Sequence, residues 1–259
     1  MFSQPKLDGI RCIARKDGLW TRSGKEIVSC PHIQDELNEF FKLHPEAILD
    51  GELYNHELKD DFNKITSLVR KEKPTEEDLQ ETKNMVEYHV YDRADHIGDY
   101  YERMNEPCMC NNIEGTHIKR VHINIVETKK ELDDRYEEYL EQGYEGQMIR
   151  LNEPYQQNKR SKYLMKRKEF ITEEFPVHSF SEGGGNWSGT VKKFHLTDVN
   201  DGGKVVDAGV RGSRDKLKKL LDDGIVPKWA TLRYFGKTPD GNYRFPVVID
   251  YGFNEKRQD

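Results

Sequence analysis

The sequence predicts an α+β protein in two parts: a domain of antiparallel sheets with packed helices over residues 1–169, followed by a compact β-barrel over 170–259. Three observations predict it. Apolar residues alternate at period two in several runs of the first part and recur at helical spacing in others. The composition changes after Lys168, where Gly183-Gly184-Gly185, Asp201-Gly202-Gly203 and Asp240-Gly241 punctuate short apolar runs. Short strands between frequent glycine turns, with one small helix, close into a barrel that leaves no exposed sheet edge.

In chain order, Ile10, Cys12 and Ala14 alternate with polar residues toward Asp17-Gly18, a hairpin-turn signal. Trp20 to Gly24 ends the return strand in a turn. Pro31 suits the first position of a helix, and Ile33, Leu37, Phe40 and Phe41 form its stripe until Pro45 stops it. Ile48 to Leu53 reads as a buried strand carrying Asp50 and Glu52, two carboxylates that are costly to bury without partners. The charged region 71–83, with Pro74, reads as an exposed helix or loop. Val86, Tyr88 and Val90 lead a strand into Tyr91-Asp92-Arg93, residues 108–115 read as a loop, and Val121, Ile123 and Ile125 make a third strand.

Thr128 and Glu131 form a capping box, and Leu132, Tyr136 and Leu140 mark the buried stripe of the helix they open, which ends near Gly143. Tyr144 to Arg150 follows as a strand that begins with a carboxylate beside a glycine. Lys166 and Lys168, two apart in a strand, share a face. In the second part Ser213 caps a helix striped by Leu217, Leu220 and Leu221 and closed at Gly224.

Net charge is -6, which argues against attraction of nucleic acid by overall charge. Local basic clusters at 159–168, Lys192-Lys193 and 211–219 remain, against acidic runs at 76–78 and 131–141. No apolar run approaches the ~20 residues of a membrane span, and no leader is visible, so a cytoplasmic protein is expected. The four cysteines form no pair of C-x-x-C motifs. Cys108-Met109-Cys110 with His117 nearby could hold a metal, although reduced, structurally neutral thiols are the ordinary reading.

Lys6-Leu7-Asp8-Gly9-Ile10-Arg11 concentrates nucleotide chemistry in six residues. A lysine amine attacks only when unprotonated, so desolvation or neighbouring cations must favour its neutral form. Asp8 could position a metal or a sugar hydroxyl, Gly9 lets backbone approach a ligand, and Arg11 offers a planar fork to phosphate. Alone, this stretch reads as a surface strand entering a hairpin. Its companions are Glu52, Tyr91, Glu145 and the pair Lys166 and Lys168, each at an expected strand end.

Together these motifs resemble the ATP-dependent DNA ligases of the compact phage and viral type, within the covalent nucleotidyltransferases. KLDGIR resembles motif I of that family, TRSG the DNA-contacting motif after it, LDGELYN motif III, VYDR motif IIIa, YEGQMIR motif IV and LMKRK motif V, in family order. The resemblance implies a nucleotidyltransferase domain followed by an OB-fold.

It further implies that Lys6 forms a lysyl-AMP phosphoramidate from ATP, that AMP passes to the 5′-phosphate of a nick in double-stranded DNA, and that the adjacent 3′-hydroxyl displaces it. Glu52 would hold ribose hydroxyls, Tyr91 would stack on adenine, Gln4 would face adenine, and Glu145 would bind Mg2+ or Mn2+. Lys166 and Lys168 would grip the α-phosphate, Arg11 and Arg22 would contact phosphates of the nick, and Asp8 would assist sealing. A monomer is expected.

RNA ligases and mRNA-capping guanylyltransferases share the lysine–nucleotide intermediate and are the rival reading in chemistry. A binding module that kept the fold and lost catalysis is the rival of another class. Only five residues precede Lys6, so the chain is either a minimal ligase or a truncated one. Where the resemblance implies a motif VI arginine to orient pyrophosphate, the chain has Gly252, and Arg257 is the later candidate.

Overall fold

The computed structural model describes residues 1–59, 61–105, 115–157, 159–238 and 240–254. The chain divides into two compact units, Met1–Lys168 and Glu169–Asp259. Two open sheets build the first unit. One has the order β7 (Asn124–Ile125), β1 (Phe2–Lys6), β8 (Gly146–Arg150), β9 (Leu164–Lys168). The other has the order β3 (Gly18–Thr21), β2 (Ile10–Arg15), β4 (Leu49–Tyr54), β5 (Glu87–Arg93), β6 (Ile118–Arg120).

Cys12 and Ala14 of β2, Leu49 and Leu53 of β4, and Tyr88 and Val90 of β5 bury into one core with helix α1 (Pro31–Leu43). That helix contributes Ile33, Leu37, Phe40 and Phe41 at the spacing its sequence predicts. Cutting Leu37, 1% exposed, to alanine would cost about 2–5 kcal/mol. Helix α2 (Phe62–Val69), capped by the Asp61 side chain, adds Ile65, Leu68 and Val69 to the same core. Gly51 is required in β4 because a Cβ there would lie 2.6 Å from the carbonyl oxygen of His89 and from the Tyr88 ring.

One open sequence expectation is resolved and two change. The charged region after Pro74 forms α3 (Glu76–Met85), opened by a reciprocal capping box between Thr75 and Asp78. The single strand expected through Val121, Ile123 and Ile125 is instead β6 and β7, which pair with β5 and β1 respectively, so the chain passes from one sheet to the other there. After the short α4 (Tyr100–Asn105) and these strands comes α5 (Lys129–Glu141), whose buried side chains are Tyr136 and Tyr139, with Leu132 and Leu140 only half-buried. Tyr139 wins the interior because its hydroxyl meets Ser3 at 3.4 Å and the Asn124 amide at 2.9 Å.

The second unit is a closed five-stranded barrel ordered β10 (Ile171–Glu182), β11 (Val191–Asp198), β12 (Lys204–Val210), β14 (Val247–Gly252), β13 (Trp229–Tyr234). The first half of β10 pairs with β13 and its second half with β11, with a register shift between Val177 and Ser179 where it turns the corner. Parallel pairing of β12 with β14 completes the closure. Helix α6 (Arg214–Asp223), capped by Ser213 and ended by Gly224 at φ 63°, buries Leu217 and Leu220 against it. This architecture is an α+β domain followed by a barrel of the OB type. Among the described residues no helix is long and apolar enough to cross a membrane. Cys12 and Cys30 are buried free thiols, while Cys108 and Cys110 lie outside the described residues.

Candidate active site

Register explains how residues far apart in sequence share one face. Lys6 pairs with Gly146, which pairs with Lys168; Gln4 pairs with Met148, which pairs with Lys166; Phe2 pairs with Arg150. Cross-strand partners point to the same side of a sheet. Lys6, Lys166, Lys168, Gln4 and Arg150 therefore lie on one face of the β1–β8–β9 sheet. Gly146 sits between Lys6 and Lys168, at φ 150°, where a Cβ would fall 2.2 Å from the Arg167 carbonyl oxygen.

Glu145 precedes that glycine and its backbone N–H donates to the Lys6 carbonyl at 3.2 Å. Lys6 pairs with Oε2 of its carboxylate and Lys168 donates to Oε1 at 2.7 Å. Burial alone would raise the pKa of this carboxyl, but Lys6 and Lys168 outweigh it and hold it below its ordinary value. Lys166, on the same face, is exposed.

The facing chemistry comes from β4 and β5. Glu52 lies inside β4 and Tyr91 inside β5, not at the strand ends that the sequence reading expected. The Tyr91 hydroxyl donates to Oε2 of Glu52 at 3.5 Å. Burial pushes the Glu52 carboxyl up to about 8, Lys6 and Arg11 pulling against it, Asp50 and Asp8 adding to it. Lys6, Asp8, Arg11 and Asp50 thus all lie close enough to the Glu52 carboxyl to act on it. Asp8 itself is half-buried in the loop 7–9. Gly9 is fixed there, since a Cβ would lie 2.3 Å from the Leu53 carbonyl oxygen.

Behind Tyr91 runs a buried ionic network that the sequence reading missed. Arg150 lies 5.2 Å from the centroid of the Tyr91 ring, donates to Oε1 of Gln4 at 3.1 Å and pairs with Asp92 at 2.8 Å. Arg103 pairs with the other oxygen of Asp92 at 2.8 Å. Because guanidinium only donates, the Gln4 oxygen must face Arg150, and its Nε2 has no partner among the described residues. A basic residue closing YEGQMIR was the one available signal.

Arg11 is held as well. It grips Asp50 through two parallel hydrogen bonds of 2.8 and 2.7 Å, and Tyr155 bridges both residues at 2.9 and 2.7 Å. Nothing local to Tyr155 signals this role. Arg22 is exposed in the turn after β3 and makes no ion pair among the described residues. Gly9, Arg11 and Arg22 border a cavity of about 970 Å³ that reaches Phe62, Arg70 and Lys71. Among the described residues no group of three or more His, Cys, Asp or Glu side chains could hold a metal ion. Arg257 lies outside the described residues.

This arrangement, a lysine sharing a carboxylate with a second lysine beneath a carboxyl–tyrosine pair, belongs to the part of the chain matched by a known family. The ATP dependent DNA ligase domain matches residues 1–168. The chain belongs to the ATP-dependent DNA ligase family. No curated protein matches the ligase by sequence. Among solved structures it is similar to a Lig E DNA ligase with a minimal DNA-binding scaffold, at 23% identity and a TM-score of 0.77, covering 96% of this chain and 91% of that one. It is similar to the ATP-dependent DNA ligase of bacteriophage T7 at 18% identity and a TM-score of 0.53, covering 96% and 91%. To the Chlorella virus DNA ligase-adenylate it is similar at 20% identity and a TM-score of 0.51, covering 96% and 92%. These distant likenesses establish the fold of the ligase along both of its units.

Proposed function

We propose that this DNA ligase seals 5′-phosphate/3′-hydroxyl nicks in double-stranded DNA as a monomer, with Lys6 as the nucleophile. Lys6 Nζ attacks the α-phosphorus of ATP; a P–N bond forms, the bond to the β-phosphate bridging oxygen breaks, and pyrophosphate leaves. The 5′-phosphate of the nick then takes AMP from Lys6. Finally the 3′-hydroxyl attacks that phosphate and AMP departs. Each step is a displacement at phosphorus, where alignment and charge neutralisation supply the catalysis.

The observation that carries this reading is the sharing of Glu145 by Lys6 and Lys168 on one sheet face. Lys168, with Lys166 beside it, would hold the α-phosphate and neutralise its charge. Glu52, mostly protonated at neutral pH, offers a donor and an acceptor to the ribose hydroxyls. Tyr91 supplies a face for adenine, and Gln4 an amide on the same side as Lys6. Arg11 and Arg22 take phosphates of the nick, Asp8 assists the sealing steps, and Arg257 neutralises the leaving pyrophosphate.

Glu145 also fits a hard divalent cation such as Mg2+ or Mn2+. Mg2+ is usually held by one or two carboxylates together with substrate phosphates, and here both carboxylate oxygens already receive positive charge. When bound, the ion would neutralise charge on the transferring phosphate. The test is incubation with labelled ATP or GTP and magnesium, followed by denaturing electrophoresis and then by addition of nicked duplex. Label on protein from ATP alone, discharged as the nick is sealed, is expected. No label, or equal label from GTP, overturns the reading.

A further inference from the structure

β2 presents Cys12 and Ala14 to the core, so its alternate residues Arg11, Ile13 and Arg15 face outward. They form one wall of a groove of about 370 Å³ that is distinct from the larger cavity, although Arg11 and Arg22 border both. Its polar lining consists of Arg11, Arg15, Arg22, Lys159, Gln156 and Gln157 together with Tyr155, and no carboxylate residue lines it. In a chain with 47 acidic residues against 41 basic ones, a groove lined by four cations and no acid is a concentrated exception. Ile13, Ile48 and Ala94 add its apolar lining.

We propose that this groove carries the backbone of the DNA strand that bears the 5′-phosphate, and that Arg15 and Lys159 are phosphate contacts beyond the nick. The proposal rests on the reading of Arg11 as a contact of the nick phosphate. Arg11 lies opposite Glu52 in the sheet, beside the Lys6 chemistry, whereas Arg15 lies four residues further along β2 at the hairpin end. Four residues of strand span roughly 13 Å, too far for a single phosphate to bridge, so the groove leads outward from the reacting centre along a polyanion.

The side chains suit that task. Arg15 is laid over the Trp20 ring at 4.7 Å, which orients its guanidinium. Its pair with Asp17 is solvent-exposed and therefore weak enough to yield to a phosphate. Lys159 is exposed and makes no ion pair among the described residues. The Gln156 amide adds a neutral donor, while the Gln157 amide already donates to the Ala94 carbonyl at 3.2 Å. Contacts of this kind fix register on the strand without reading sequence.

The experiment measures binding of nicked duplex across salt concentrations for the parent, Arg15→Ala and Lys159→Ala, with thermal melting to verify folding. Each alanine should lower the slope of log K against log salt by about one, and Lys159→Arg should keep the parent slope. Neutral methylphosphonate linkages are then placed one at a time in the 5′-phosphate strand. At one position the linkage should weaken the parent as much as Arg15→Ala does, and should weaken Arg15→Ala no further. Unchanged slopes overturn the proposal, as does additivity at every position of that strand or coupling found only with the template strand. A parent that takes no AMP from ATP would strike the underlying reading of the site instead.

Discussion

Lys168 donates to Oε1 of Glu145 at 2.7 Å while Lys6 holds the other oxygen of the same carboxylate. The two lysines reach it from opposite sides of Gly146, whose missing side chain lets β1, β8 and β9 bring them together. A single carboxylate thus orders both lysines, the proposed nucleophile and the proposed phosphate-binding cation.

The first prediction tests the nucleophile. Lys6→Ala and Lys6→Arg should each abolish covalent AMP labelling, the second because guanidinium stays protonated in proteins and cannot attack. Both variants should melt cooperatively, since Lys6 is a half-buried strand-end residue outside the apolar core. Labelling of either at the parent level, read by denaturing electrophoresis, would move the nucleophile elsewhere.

A second prediction concerns the network behind Tyr91. Asp92 is 1% exposed and is the shared partner of Arg103 and Arg150, themselves 2% and 7% exposed. Asp92→Ala leaves two guanidinium charges buried beside no carboxylate of their own, and breaking such a pair costs about 3–5 kcal/mol. Urea unfolding should show a lower midpoint with an unchanged slope. A loss below about 1 kcal/mol would mean that both charges find water or other partners.

The sequence carried the local signals faithfully and the cross-sheet ones poorly. Pro31, the stripe through Phe41 and the capping Ser213 lie within a few residues of what they control, and the helices they predict are present. Lys6, Glu145 and Lys168 could be singled out because each sits in a dense motif. Arg150 and Asp92 are 58 positions apart, and Tyr155 and Asp50 are 105 apart. Such pairings depend on which strands become neighbours, and no spacing within a single segment encodes that. Tyr139 displaced Leu140 from the interior for the same reason, through partners on β1 and β7.

Glu52 gives a third prediction, on pH. Its carboxyl is raised from the ordinary value of 4.5 to about 8 by burial, so the folded chain keeps a proton that the unfolded chain has already lost. The folded state then binds more protons than the unfolded state between those values, and stability falls as pH rises from about 4.5 to 8. Glu52→Gln removes that loss. Thermal midpoints of parent and variant should agree at about pH 4 and separate as pH rises, with the variant higher at about pH 9 by roughly 2–4 °C for each kcal/mol regained. Parallel midpoint curves across that range would show that Glu52 ionises freely in the fold.

The last prediction follows from Gly252, in the register where the resemblance implies an arginine. A Cβ at Gly252 would lie 2.5 Å from Cζ2 and 2.6 Å from Cε2 of the Trp229 indole, its cross-strand partner. The indole Nε1 also donates to the Asn254 carbonyl at 2.9 Å, so the ring is anchored where a side chain would have to pass. No arginine can occupy that register while Trp229 stays. The charge that meets leaving pyrophosphate must come from another residue, and Arg257 is the arginine that follows. Arg257→Ala should slow lysyl-AMP formation by roughly the hundred- to thousandfold expected for losing one charge-stabilising group. Sealing of a pre-adenylated nick should stay near the parent rate, because no pyrophosphate leaves in that step. Single-turnover rates for the two steps, measured separately, decide it. Equal rates in the ATP step would pass the role to another basic residue such as Arg233, whose guanidinium lies 5.1 Å from the centroid of the Phe170 ring.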